Sequence, residues 1–340
     1  MTPNAIPCTR RSLLLTGTAL GAVVLAACTS APPQNASTPA PTGTQPDRPP
    51  TSGGDVGAQG GLYGVGVYNT RQVADELAWI HENIHPLAGD TKRILITGSA
   101  AGAGQLCAAY LLKRGHTVVA HARNVQRAAD VRRDLPGLEH VVTGDLLDLD
   151  ETRALAGQIN ALGDFDVIIH NAGEYGLPDG DLLNSNSLSP YLLTALVTPP
   201  QQLSYLTSDL HLGGSVRLDE VRSGGGISYG DSKLHVAMIA TAAARLWPSR
   251  QVNAVAPGWI PTLMGFHNGN TSTPDSLRDG YMTQVWLAEG VEPGSDVTGE
   301  FLFHQQVETR VNELVHDPQA QDRLLAAYAE QTGVAFPSES

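Results

Sequence analysis

Cysteine is almost missing from this chain. The three present are Cys8, Cys28 and Cys107. If a leader is removed at Cys28, Cys107 remains as the only free thiol, so no disulfide framework can form within one mature chain. The folded part must therefore draw its stability from core packing. Positive charge is also scarce, with 21 Lys and Arg against 34 Asp and Glu for a net charge of −13. Without Arg10 and Arg11 it becomes −15 (19 against 34). An acidic chain with no Lys/Arg cluster excludes nucleic acid as a partner, because backbone phosphates must be neutralised by cations. Residues 29–60 lack aromatics altogether and contain seven prolines among Ser, Thr, Gly and Gln. Such a composition cannot bury a core and reads as a tether, spanning about 30 Å as a flexible coil.

What precedes the tether is an export pattern. Arg10-Arg11 is followed by an uncharged stretch, Ser12 to Ala27, that is short for a membrane span and right for the apolar part of a signal peptide. The paired arginines match a twin-arginine signal, although Thr9-Arg10-Arg11-Ser12-Leu13-Leu14-Leu15 departs from the usual Phe and Lys positions. Leu25-Ala26-Ala27-Cys28 resembles a bacterial lipobox, with Cys28 as the acylated residue. The expected organisation is a signal over 1–28, a tether over 29–60, an amphipathic helical extension over 61–90 and a folded domain over 91–340. The expected location is the outer face of the bacterial cytoplasmic membrane, reached by the twin-arginine route and held through a lipid anchor. The alternative is the cytoplasm, if the signal is not used.

The 340 residues are 41% apolar, enough for one large α/β domain with an extension or for two small domains. Seven short apolar, β-branched runs stand out: Arg93–Thr97, Thr117–His121, His140–Thr143, Asp166–His170, Leu203–Thr207, Val252–Ala256 and Glu300–His304. Helix-period patterns fill the gaps, over Gln105–Lys113, Val125–Asp134, Glu151–Ala161, Pro190–Val197, Ser232–Trp247 and part of 272–290. A last helix is expected from Pro318, capped by Asp317, to about Gln331, stopping at Gly333. Strand and helix alternating at this spacing predict an α/β fold, a doubly wound parallel sheet of about seven strands in a single domain. There are no internal repeats. Residues 71–85 form an amphipathic helix pattern with Val73, Leu77, Ile80 and Ile84 on one face. Its end, His81-Glu82-Asn83-Ile84-His85, satisfies the zincin spacing His-Glu-x-x-His. Pro86, the lack of a third ligand downstream and the packing stripe count against it, and no metal is expected.

The chemistry is concentrated at strand ends. Thr97-Gly98-Ser99-Ala100-Ala101-Gly102-Ala103-Gly104 lies between a strand and a helix, where glycines let the backbone turn tightly and approach a pyrophosphate at the helix N-terminus. Asn171-Ala172-Gly173 closes the fourth strand, Asn186 follows, Ser208 ends the fifth strand, and Tyr229 and Lys233 form Tyr-x-x-x-Lys. Pro257-Gly258 follows the sixth strand, with Thr262 soon after. In this order the set resembles the short-chain dehydrogenase/reductase superfamily over about residues 91–310, nearest the retinol-dehydrogenase-like and carbonyl-reductase-like branch.

The resemblance implies a Rossmann-type fold and hydride transfer between a nicotinamide and a carbonyl or alcohol. Tyr229 is then the acid/base, Lys233 binds the nicotinamide ribose and lowers the phenol pKa, Ser208 holds the substrate oxygen, and Asn186 keeps a water relay to Lys233. The cofactor contacts carried over are Thr97, Gly98, Ser99, Gly102, Gly104, Asn171, Ala172, Gly173, Tyr229, Lys233, Pro257, Gly258 and Thr262, with Asp145-Leu146 as the adenine contact. The second strand ends His121-Ala122-Arg123-Asn124, with no carboxylate for the ribose hydroxyls. Arg123 suits a 2′-phosphate, so NADP(H) is preferred and NAD(H) is the alternative. A substrate lid is expected over 258–285, where Trp259, Leu263, Met264 and Phe266 line an apolar cavity or pack in the core. His211 lies in an inserted loop beside the pocket and reads as a loop histidine. A non-catalytic NADP-binding or sensing protein on the same fold is the competing function.

Overall fold

A computed structural model describes residues 61–339, so the signal, Cys28 and the tether lie outside the described residues. The strands are β1 Arg93–Ile96, β2 Thr117–Ala122, β3 His140–Thr143, β4 Val167–His170, β5 Gln202–Leu206, β6 Gln251–Ala256, β7 Phe301–Phe303 and β8 Gln306–Val307. They form one sheet in the order β3-β2-β1-β4-β5-β6-β7-β8, parallel throughout except for the antiparallel β7–β8 pair. The expected seven-strand parallel sheet is present, with an eighth strand added at its edge. His304 and Gln305, both at positive φ, make the two-residue turn that folds β8 back on β7. That turn type normally announces itself through Asn-Gly, and His-Gln carries no such signal.

The order reverses between β1 and β4, which opens a crevice at the strands' C-terminal ends. Helices cover both faces, and this is why the strands read as continuous apolar runs rather than alternating ones. Ile94 and Ile96 of β1 face one side, with Leu106 and Leu111 of α2 (Gly102–Lys113) and Val285 of α9 (Leu277–Glu289). On the same strand Leu95 faces the other way, against Leu155 and Ile159 of α4 (Leu149–Ala161). Further along that face, α6 (Ser189–Leu196), α8 (Tyr229–Leu246) and α10 (Pro318–Thr332) share a second cluster with Leu203, Tyr205 and Val252. The remaining helices are α3 Val125–Asp134, α5 Asp179–Leu183 and α7 Leu218–Ser223.

The N-terminal helix α1 spans Arg71–Asn83 and is capped by Thr70, whose hydroxyl accepts from the Val73 amide. Val73, Leu77 and Ile80 are fully buried against the first cluster. Burial of each contributes roughly 1.5–3 kcal/mol, so α1 belongs to the folded domain. Ile84 is already extended and caps the helix C-terminus. His85 therefore lies beyond the helix and does not share a helical face with His81, which removes the geometry the zincin spacing requires. Among the described residues no helix is long and apolar enough to cross a membrane.

Candidate active site

The glycine-rich loop joins β1 to α2 and is tied to the turn after β4. The Thr97 amide donates to the Ile169 carbonyl at 2.9 Å, and the Thr97 hydroxyl accepts from the Ala172 amide at 3.0 Å. Asn171 Nδ2 donates to the Thr97 and Gly98 carbonyls at 3.0 and 3.2 Å. Glycine is required here for space. A Cβ on Gly98 (φ +64°) would lie 2.8 Å from the Ala172 Cα, and one on Gly104 would lie 2.5 Å from the Gly98 carbonyl oxygen. One on Gly173 would lie 2.9 Å from Lys233 Nζ. The Ser99 hydroxyl accepts from the His121 amide at 2.9 Å, which binds the loop to the end of β2. These close approaches at a helix N-terminus fit a dinucleotide pyrophosphate.

The buried His121 imidazole was not singled out from the sequence. Its Nδ1 accepts from the Gly98 amide at 3.0 Å, so Nε2 carries the proton and donates to the Gly144 carbonyl at 2.9 Å. Burial lowers its pKa and keeps it neutral. It thereby holds the glycine loop against the turn that carries Asp145 and Leu146. Arg123 follows β2 directly, half-buried, with no ion pair among the described residues. Arg127, one helical turn on, is committed elsewhere. Its guanidinium donates to the Ala100 carbonyl at 2.5 Å, pairs with Asp130 and lies 3.5 Å over the Tyr68 ring.

The other half of the site lies at the ends of β5 and β6. Tyr229 opens α8, three residues earlier than the apolar period indicated, because Ser228 and Asp231 form a reciprocal capping box. Lys233 follows one turn later on the same face, its Nζ 5.4 Å from the Tyr229 ring centroid and 3.0 Å from the Leu206 carbonyl. Ser208 caps the short turn after β5, its hydroxyl accepting from the Leu210 amide, and its side chain faces the Tyr229 phenol. Burial raises the Tyr229 pKa, with Tyr175 adding to the rise and Ser208 opposing it. The expected lowering is therefore not what the site shows: taking the phenolate out of water dominates. Burial also lowers the Lys233 pKa to about 8.

Asn186 sits in a π-helical turn, Asn184–Leu188, between α5 and α6. Such bulges re-aim side chains at functional positions. The Asn186 amide grips the Glu174 backbone in both directions, accepting from its N–H at 2.8 Å and donating to its carbonyl at 2.9 Å, and it donates to Ser232 Oγ at 3.1 Å. It therefore fixes the chain beyond Gly173 next to Lys233. His211 is buried rather than a free loop residue. It stacks on Phe301 and bonds the Ser208 carbonyl at 2.8 Å, which steadies the Ser208 turn.

The stretch expected as a lid divides into an irregular segment, 257–276, and α9, which packs in the core. Gly258 (φ +80°) turns the chain after Pro257, and the Trp259 amide donates to Asp275 at 2.6 Å. Thr262 lies against the glycine loop, its Cγ2 3.4 Å from where a Gly102 Cβ would be. Trp259, Leu263 and Met264 are exposed, so they are not core packing. Tyr175 stands edge-on to Tyr229, ring centroids 4.9 Å apart, with His267 edge-on to Tyr175 at 5.2 Å.

Replacing Lys233 by Met is expected to stabilise the cofactor-free protein at pH 7 by about 1–3 kcal/mol while removing turnover. The unfolded chain binds more protons than the folded one between about pH 8 and 10.5, so wild-type stability rises across that window. Denaturant unfolding at pH 7 and pH 10 checks this, because the rise disappears in the variant.

Comparison with known proteins agrees with this arrangement. The sequence model of the short chain dehydrogenase family matches residues 92–196. The short-chain dehydrogenase chry4 of Gibberella zeae is 35% identical over 263 residues, covering 72% of this chain and 99% of its own. The protein belongs to the short-chain dehydrogenase/reductase family. An oxidoreductase of Emericella nidulans is 37% identical, covering 72% of this chain and 98% of its own. A short-chain dehydrogenase from Shigella flexneri, solved in complex with NADP, superposes with a TM-score of 0.52 at 22% identity, covering 65% of this chain and all of its own (100%). As a family member the chain is an oxidoreductase of the CH–OH/C=O class that uses a nicotinamide cofactor. The family match begins at residue 92, after α1.

Proposed function

We propose that this dehydrogenase transfers hydride between NADP(H) and an apolar carbonyl or alcohol, as a member of the retinol-dehydrogenase-like and carbonyl-reductase-like branch. The observation that carries the reading is the convergence of Ser208, Tyr229 and Lys233 at the ends of β5 and α8, beside Asn186 and the glycine loop. The cofactor, when bound, supplies or accepts the hydride. Gly98, Ser99, Gly102 and Gly104 would hold its pyrophosphate, Asp145 and Leu146 its adenine, and Thr97, Asn171, Ala172, Gly173, Pro257, Gly258 and Thr262 would flank the rest. Lys233 would hold the nicotinamide ribose.

For carbonyl reduction the raised Tyr229 pKa is an asset, since the phenol is protonated at neutral pH and can donate to the substrate oxygen. Ser208 positions that oxygen and steadies the phenol. Lys233 offsets the charge left on Tyr229 after the transfer, and a water held beside Asn186 returns the proton. Exposed Tyr175, Trp259, Leu263 and Met264, together with Leu210 and Leu212 next to Ser208, favour an apolar substrate.

The preference for NADP(H) rests on Arg123. Arg123→Ala is expected to weaken NADPH about tenfold or more and leave NADH within twofold; equal loss for both would overturn the preference. Arg10-Arg11 and Leu25-Ala26-Ala27-Cys28 favour a twin-arginine route and an anchor at Cys28, in which the folded domain crosses already loaded. Cell fractionation is expected to find the protein in the membrane and to find Cys28→Ser released from it; a wild-type protein in the cytoplasm would end that reading.

A further inference from the structure

Three consecutive residues ahead of α1 touch three separate points around the cofactor crevice. Tyr68 stacks on Arg127, whose guanidinium donates to the Ala100 carbonyl in the glycine loop. Asn69 is 1% exposed, and its Oδ1 accepts from the Gly102 amide at 2.9 Å. That amide is among the first-turn donors of α2 that find no partner within the helix. The orientation of Asn69 is not free. Its Nδ2 donates to Gln105 Oε1 at 2.6 Å and to the Tyr63 carbonyl at 2.8 Å, so its oxygen must face the loop. Gln105 is itself buried and bonds Asp134, which also accepts from the Tyr68 hydroxyl at 2.7 Å. Thr70 then reaches across to the lid segment, donating to the Pro261 carbonyl at 2.8 Å. The next residue, Thr262, is the one that lies against Gly102.

The same extension is pinned further along. Glu76 pairs with Arg278 at 2.7 and 2.9 Å and accepts from the Tyr281 hydroxyl at 2.6 Å, both residues of α9. Tyr68, Asn69, Thr70 and Glu76 all precede the stretch the family model matches.

We propose that Tyr68-Asn69-Thr70 is a strap that fixes the glycine loop and the lid to each other, so that Asn69 and Thr70 are positioning residues setting how fast the nicotinamide cofactor leaves. The proposal rests on the cofactor reading above. A ligand lying between the glycine loop and the 257–266 segment escapes when that segment swings away, and the Thr70–Pro261 bond opposes the swing. Asn69 meanwhile holds Gly102 in the positive-φ conformation that lets the loop approach a phosphate. A slow-leaving cofactor suits a protein read as working where released NADPH is not replaced.

The full chain is tested as wild type, Thr70→Ser, Thr70→Gly and Asn69→Ala. Serine keeps both hydroxyl bonds of Thr70. Glycine loses them, yet remains an acceptable N-cap within a few tenths of a kcal/mol, which separates the strap from helix capping. NADPH dissociation, followed by displacement of its fluorescence, is expected to speed up about tenfold in Thr70→Gly and Asn69→Ala and to stay within twofold of wild type in Thr70→Ser. Amide exchange over 259–266, measured without cofactor, is expected to speed up in Thr70→Gly alone of the two Thr70 variants. Dissociation within twofold of wild type in both Thr70→Gly and Asn69→Ala would overturn the strap, as would equal lid exchange in Thr70→Gly and Thr70→Ser. If the wild type binds neither NADPH nor NADH, the cofactor reading fails by itself, and the exchange comparison decides the strap.

Discussion

Tyr229→Phe is expected to lower carbonyl reduction by about 10²–10⁴-fold while leaving NADPH affinity within a few-fold of wild type. The substitution removes one oxygen from a residue that is otherwise a ring packed in the first turn of α8, edge-on to Tyr175. Shape and burial survive, so folding should be intact and the missing proton donor becomes the sole change of consequence. Steady-state rates with an apolar carbonyl panel, set beside a fluorescence titration with NADPH, separate the two quantities. Turnover near wild type would mean that another group delivers the proton and that the Ser208–Tyr229–Lys233 convergence has been misread. Loss of binding and rate together would point instead to a collapsed site.

Gly104→Ala is expected to weaken NADPH by about a hundredfold or more and to destabilise the protein by about 3 kcal/mol. The reason is steric. The new Cβ would lie 2.3 Å from Asn171 Nδ2 and 2.5 Å from the Gly98 carbonyl oxygen, and the second of these is backbone that cannot rotate aside. Relief requires α2 to back away from the loop, which breaks the Asn171 bonds to Thr97 and Gly98 that shape the cradle. Gly102→Ala makes the instructive contrast. Its nearest side-chain neighbour would be Thr262 at 3.4 Å, an ordinary contact, and its cost comes from the positive φ instead. About 1–2 kcal/mol is expected there. Urea unfolding of both variants, with cofactor titration, tests the ranking; a milder effect at Gly104 than at Gly102 would show that the loop is free to shift.

Much of the site was legible from residue order. A helix of 3.6 residues per turn places Lys233 on the same face as Tyr229 whatever surrounds it. Glycines between an apolar run and a helix pattern mark a tight strand-to-helix turn. Less legible were the residues that act by reaching across the fold. Asn69 precedes an amphipathic helix and looks like turn composition, yet its side chain closes on Gly102, 33 positions away. His121 reads as one more position in a β-branched run, although its ring bridges the ends of three strands. The β8 strand escaped because two residues have no period, and its His304-Gln305 turn lacks the usual composition.

By itself, then, the sequence determined the doubly wound sheet, the strand-end placement of Ser208, Asn171 and Gly98, and the pairing of Tyr229 with Lys233, because these follow from local periodicity and from glycine's freedom at turns. Only the tertiary structure decided that Tyr229 sits with a raised rather than a lowered pKa, that His85 falls outside α1, and that an N-terminal strap meets the glycine loop and the lid. The physical reason is the same in each case. Desolvation, hydrogen-bond partnership and lid contact depend on groups brought together from distant parts of the chain, and no local pattern encodes which of them will meet.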